Sequence, residues 1–145
     1  MKRNLKLIIG IIILVSILGV IGGVYYFNSK NKEEVLEEAE SVGIIKITDE
    51  NFSEEVINSS EPVILEFSSN SCPPCVAMLT TLINIAKNNK DIKVATLNVD
   101  STDCTSLVKR FPTSGTPTIM IFKDGKKIST LVGAVSEEKI MSELK

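Results

Sequence analysis

The sequence predicts an α/β protein with a mixed central sheet flanked by helices, preceded by one N-terminal transmembrane helix. Three observations predict it. Strand-type and helix-type hydrophobic patterns alternate from residue 43 onward. The last two strand-type runs flank Asp124-Gly125, a tight hairpin signal. Residues 7–27 form an uncharged run of 21, of which 16 are apolar. Such a run, as a helix, spans roughly 31 Å, about the thickness of a bilayer core.

The organisation is read as 1–6 cytoplasmic N-terminus, 7–27 membrane anchor, 28–42 acidic stalk and 43–145 soluble domain. Charge supports the division. Residues 1–32 carry five Lys/Arg and no acid, whereas residues 33–145 carry eleven Lys/Arg against eighteen Asp/Glu, a net −7. Lys2, Arg3 and Lys6 before the run favour a cytoplasmic N-terminus and an exported C-terminus. A cleaved signal peptide is the rival reading, but the run is longer than a usual h-region and no A-x-A site follows it. Residues 28–42 read as a spacer. The acidic remainder disfavours nucleic-acid binding.

Within the domain, Ile44–Ile47 is a short strand, and Thr48 caps a helix through Ser59 with Phe52, Val56 and Ile57 on one face. Val63–Phe67 is apolar except for Glu66 and reads as a central strand, buried on both faces. A helix runs from Cys72 to Asn88 with Met78, Leu79, Leu82, Ile83 and Ile85 at helical spacing, and Ile92–Val99 is the next strand. Thr102 or Asp103 caps a short helix through Arg110. Thr118–Phe122 and Lys127–Val132 form the hairpin, and Ser136 caps a last helix with Glu137 and Glu138 at its positive end. Strands joined through helices pair in parallel with right-handed crossovers, and the hairpin adds two antiparallel strands.

The chemistry centres on Cys72-Pro73-Pro74-Cys75. A zinc site usually needs four Cys or His ligands, but the chain has three cysteines and no histidine. The pair lies at a strand-to-helix junction, where unpaired backbone N–H groups and the macrodipole favour a thiolate. Cys72, expected to be the more exposed, is the candidate nucleophile. Cys75, one turn inside, is the candidate resolving thiol. Prolines suit the first helical positions.

These residues resemble the thioredoxin family over nearly all of 44–145. IIKITDENF resembles the family's first strand and helix, VILEFSSNSCPPC its strand and active-site stretch, usually VDFWA-x-WCGPC, and VATLNVD its third strand. GTPTIMIFKDGKKISTLVGAVSEEKI resembles its final hairpin and helix almost position by position. The resemblance implies a thioredoxin fold and a protein-disulfide oxidoreductase with a redox-active disulfide and no cofactor or metal. It implies that Pro117 is a cis-proline which, with Thr116 and Gly133, lines the substrate groove. It implies that Glu66 is the buried acid that helps move the proton of Cys75. Departures are Ser68 and Ser71 for tryptophans, Pro73 for glycine, Thr80 for a helix-kinking proline and Thr96 for a lysine near the buried acid. Thr116 is more like that of disulfide isomerases and exported relatives.

The expected protein is therefore a membrane-anchored enzyme whose domain lies outside the cytoplasm. It would act on thiols and disulfides of exported proteins, as reductase or isomerase rather than oxidase, with electrons supplied by a membrane partner. Two other classes are open at this point: a tethered binding module with little redox activity, and a metal carrier using Cys72, Cys75 and Cys104. Cys104 itself reads as either a regulatory thiol or a small semi-buried residue.

Overall fold

The computed structural model describes residues 2–145, with side chains described except at 2–10 and 25–30. Helix α1 covers Lys2–Ser41. Two compact units are present, residues 1–34 and Val35–Lys145. In the first, large apolar side chains from Ile11 to Val24 are exposed. Among the described residues no helix is long and apolar enough to cross a membrane. The expected span 7–27 lies partly outside them, since the side chains of 7–10 and 25–27 are not described.

The second unit is built on a five-stranded sheet of order β1-β3-β2-β4-β5. Its strands are β1 Ile45–Lys46, β2 Val63–Ser68, β3 Lys93–Asn98, β4 Thr118–Lys123 and β5 Lys126–Val132. β1 and β2 pair in parallel with β3, while β4 runs antiparallel to both β2 and β5. The mixed sheet expected from the element order is thus present, with β2 in the middle.

Alternation along β2 sends its side chains to two different cores. Ile64 joins Met78, Leu79, Leu82 and Ile83 of helix α2 (Pro73–Asn88) and Ile140 of helix α4 (Glu137–Ser142). Val63, Leu65 and Phe67 face the other way, onto Phe52, Val56, Leu107 and Phe122. Phe111 packs edge-on to Phe122 at 5.7 Å, and the Arg110 guanidinium lies 5.1 Å above the Phe111 ring. The first core also takes in Ala39, with Val35 and Val42 packed against it, and Lys87 bonds Glu38 at 2.6 Å. The part of the expected spacer from Val35 onward therefore packs as part of the domain. Its acidic composition hid an apolar spacing of Val35, Ala39 and Val42.

Local chemistry explains the element ends. Thr48 and Asn51 cap each other, Asn51 Oδ1 accepting from Thr48 N at 2.8 Å and Thr48 Oγ1 from Asn51 N at 3.4 Å. The helix expected after them is shorter than read, a π-type segment over Ser53–Ile57 closed by Asn58 N donating to Ser53 O. Ser59 stops it by bonding Glu61 backbone on both sides. Ser101, rather than Thr102 or Asp103, caps the turn leading to helix α3 (Thr105–Arg110). Asp49 accepts from the backbone N–H groups of Ser106 and Leu107, both at 2.9 Å, and those bonds hold its carboxyl below its usual range. Ser136 caps α4 as expected.

The Asp124-Gly125 turn holds both residues at positive φ, 51° and 71°. A Cβ on Gly125 would lie 2.7 Å from the Ile57 carbonyl oxygen. Gly125→Ala therefore combines a strained φ with a backbone clash, and it should destabilise the fold by about 1–3 kcal/mol. Urea denaturation measures this, and an unchanged midpoint would contradict the tight packing of the turn.

Candidate active site

β2 ends at Ser68 and α2 begins at Pro73, so residues 69–72 bridge the centre of the sheet to a helix N-terminus. Cys72 is the N-cap, with extended backbone and no side-chain cap bond. Pro73 and Pro74 bring no N–H, so the helix's first donor is Cys75 N, which bonds Cys72 O at 3.0 Å. Cys72 and Cys75 are joined by a disulfide, with Cα atoms 5.3 Å apart. In this state Cys72 is 8% exposed and Cys75 5%. Both are buried in this disulfide state, Cys72 only slightly less so than Cys75. The flanking Ser71, Pro73 and Pro74 are exposed. On reduction the helix macrodipole favours a thiolate at Cys72.

The cis-proline loop shares this end of the sheet. The Thr116–Pro117 bond is cis. Thr118, the next residue, pairs with Phe67 just before β2 ends. Ser69 and Thr116 hydroxyls bond at 3.2 Å, tying the loop before the cysteines to the loop before β4. Gly133, at φ 86°, donates its N–H to Pro117 O at 2.8 Å, and its Cβ direction is open space. The structure thus places Thr116, Pro117 and Gly133 together beside the loop that precedes Cys72. The register of this hairpin shifts at Ile121/Phe122.

Glu66 is 1% exposed. It pairs across the sheet with Thr96 and Ile119, and it lies on the same face of β2 as Ile64, the face that α2 covers. Cys75, Met78, Leu79 and Leu82 form the buried stripe of α2 at spacings of three and four, so Cys75 and Glu66 belong to one layer. Glu66 Oε1 is buried without a hydrogen-bond partner among the described residues. Desolvation pushes its pKa from the ordinary 4.5 up to about 8. Thr96 brings no cation that would oppose this. Thr80 donates to Val76 O at 3.2 Å within a continuous α2.

Cys104 is buried in the core on the other face of the sheet, its Sγ donating to Ile47 O at 3.3 Å. Burial, then the Asp49 carboxylate, pushes its thiol pKa up. It does not converge with Cys72 and Cys75, and among the described residues no cluster of His, Cys, Asp or Glu could hold a metal.

Sequence reasoning missed a polar group beside the active-site loop. Asn70 N donates to Asp100 Oδ2 at 2.7 Å, and Asn98 Nδ2 donates to Asn70 Oδ1 at 2.8 Å. The polar pair Asn98 and Asp100 closing an apolar strand was the available signal.

A raised carboxyl pKa is also a statement about stability. The folded state binds the Glu66 proton more tightly than the unfolded state, so this group disfavours folding progressively between pH 4.5 and about 8. Its full penalty, of the order of a few kcal/mol, applies above that window. Urea denaturation should show the parent losing stability from pH 5 to 9. Glu66→Gln should lose less and be the more stable protein at pH 9. Parallel profiles for the two would contradict a buried, raised Glu66.

Comparison with known proteins matches these features. The thioredoxin family model matches residues 43–145. Thioredoxin of Griffithsia pacifica is 36% identical over 104 residues, covering 71% of this chain and 94% of the relative. Thioredoxin of Mycobacterium bovis is 33% identical over 110 residues, covering 75% and 93%. Thioredoxin 1 of Synechococcus elongatus is 35% identical over 99 residues, covering 68% and 91%. With a disulfide at a helix N-terminus, a cis-proline beside it and a buried acid under the same helix, the chain belongs to the thioredoxin family of protein-disulfide oxidoreductases.

Proposed function

We propose that the protein is a membrane-anchored disulfide reductase or isomerase acting on exported proteins. The observation that carries the chemistry is the Cys72–Cys75 disulfide at the N-terminus of α2, with buried Glu66 in the layer beneath it. In the dithiol state, Cys72 thiolate attacks one sulfur of a substrate disulfide. A Cys72–substrate disulfide forms and the other substrate sulfur leaves as thiolate. Glu66 carboxylate takes the proton of Cys75 through intervening solvent. Cys75 thiolate then attacks Cys72 Sγ, the intramolecular disulfide forms, and the second substrate thiolate is released. Two electrons pass from the dithiol to the substrate, and an external thiol donor, at the membrane in this reading, restores them. In isomerisation the substrate's own thiol resolves the mixed disulfide, and no net electrons move. Thr116, Pro117 and Gly133 supply the open backbone edge for an extended substrate segment.

The location rests on the uncharged run 7–27 and the positive residues before it. Exposure of large apolar side chains from Ile11 to Val24 supports the same reading, since such a surface needs a non-aqueous cover.

One experiment addresses chemistry, location and substrate together. The full chain carrying Cys75→Ser is expressed in cells and thiols are blocked with acid and alkylating agent. It should appear in the membrane fraction, disulfide-linked through Cys72 to exported proteins. The Cys72→Ser, Cys75→Ser variant should link to nothing. Capture of cytoplasmic proteins from the soluble fraction would contradict the location, and the same clients held by the double variant would favour a binding module.

A further inference from the structure

We propose that Asn98 and Asp100 are positioning residues that, through Asn70, hold Cys72 for ring closure with Cys75 and so set how readily the disulfide is reduced. Ser68 and Ser71 bring only small side chains to this loop, and hydrogen bonds hold it. Asp100 Oδ2 accepts from Asn70 N at 2.7 Å, and Asn98 Nδ2 donates to Asn70 Oδ1 at 2.8 Å. Asn98 Oδ1 in turn accepts from Asp100 N at 2.9 Å, so the three residues form a closed ring of bonds. The ring stands on a rigid base. Asn98 is the last residue of β3, which is paired on both sides, and Val99 N donates to Ser68 O at 2.8 Å. The bond to Asp100 is charge-assisted, the stronger kind.

Asn70 lies two residues before Cys72, so the ring restricts the backbone that delivers the nucleophile. In the disulfide state the Cys72–Cys75 bond already fixes this backbone. In the dithiol state the ring of polar bonds does so. It therefore acts mainly on the dithiol, raising the effective concentration of one thiol at the other and favouring closure. Loosening it should shift the equilibrium toward the dithiol.

The inference rests on the dithiol cycle above, and the test separates the two. The full chain is equilibrated with glutathione buffers of graded ratio, and the Cys72–Cys75 equilibrium constant is read by alkylation and mass spectrometry. Asn98→Ala and Asp100→Ala should each shift it toward the dithiol by at least about threefold. Asp100→Asn keeps an acceptor oxygen and should stay within about twofold of the parent. Asn70→Ala, at an exposed loop position, provides the same test if a β3 variant does not fold, and should shift in the same direction. Constants within twofold of the parent, with only the urea midpoint lowered, would overturn the positioning role in favour of a purely structural one. An Asp100→Asn shift equal to that of Asp100→Ala would overturn it in favour of a charge effect. A parent chain that does not exchange with glutathione would contradict the dithiol cycle itself, and the positioning role with it.

Discussion

β2 lies between β3 and β4, with α2 over one face and an aromatic cluster over the other, so five of its six residues are buried. A strand in that position is normally apolar throughout, because a carboxylate there loses its hydration without gaining a partner. Glu66 breaks the pattern. Its side chain turns toward α2, where Ile64 and Ile119 are the neighbouring apolar residues and Thr96 is the paired one. The protein accepts the cost of a buried acid in the middle of its best-packed strand. That cost shows as a carboxyl pKa pushed by desolvation from the ordinary 4.5 up to about 8.

The site follows from where β2 ends. The strand delivers the chain to the edge of the sheet at Ser68, and the turn through 69–72 places Cys72 on the end of α2. The antiparallel neighbour β4 begins at the same edge, so Thr116 and Pro117 arrive beside the cysteines. β5 returns Gly133 to Pro117. Cys72 with Cys75, Glu66, Thr116 with Pro117, and Gly133 thus come from four separate stretches of sequence gathered around the end of β2. Cys104, on the opposite face, has no part in this arrangement and packs as a small apolar residue.

Much of this was legible in the amino-acid order. The alternation of strand and helix periods gave the element order, Asp124-Gly125 marked the hairpin, and Ser136 marked the start of α4. The anomaly of Glu66 was legible because it interrupts VILEF, an otherwise apolar strand, and it is indeed buried. What was hidden depended on contacts between distant residues. The helix after Thr48 has helical periodicity to Ile57, yet Ser59 diverts the backbone by bonding Glu61. Val35, Ala39 and Val42 are too sparse among acids to read as a core face, and only α2 and Ile44, in the same core, reveal one. Asn70, Asn98 and Asp100 are ordinary polar residues in sequence and become a ring only when β3 lies against β2.

The role proposed for Glu66 depends on burial holding its carboxyl pKa well above the ordinary 4.5. Carbon-13 NMR of the glutamate-labelled protein, with Glu66→Gln to assign the signal, measures this directly in the disulfide state. The Glu66 carboxyl carbon should show its midpoint near pH 8. A midpoint near the ordinary 4.5 would mean that bulk solvent or a charged partner stabilises the carboxylate, and it would contradict that role.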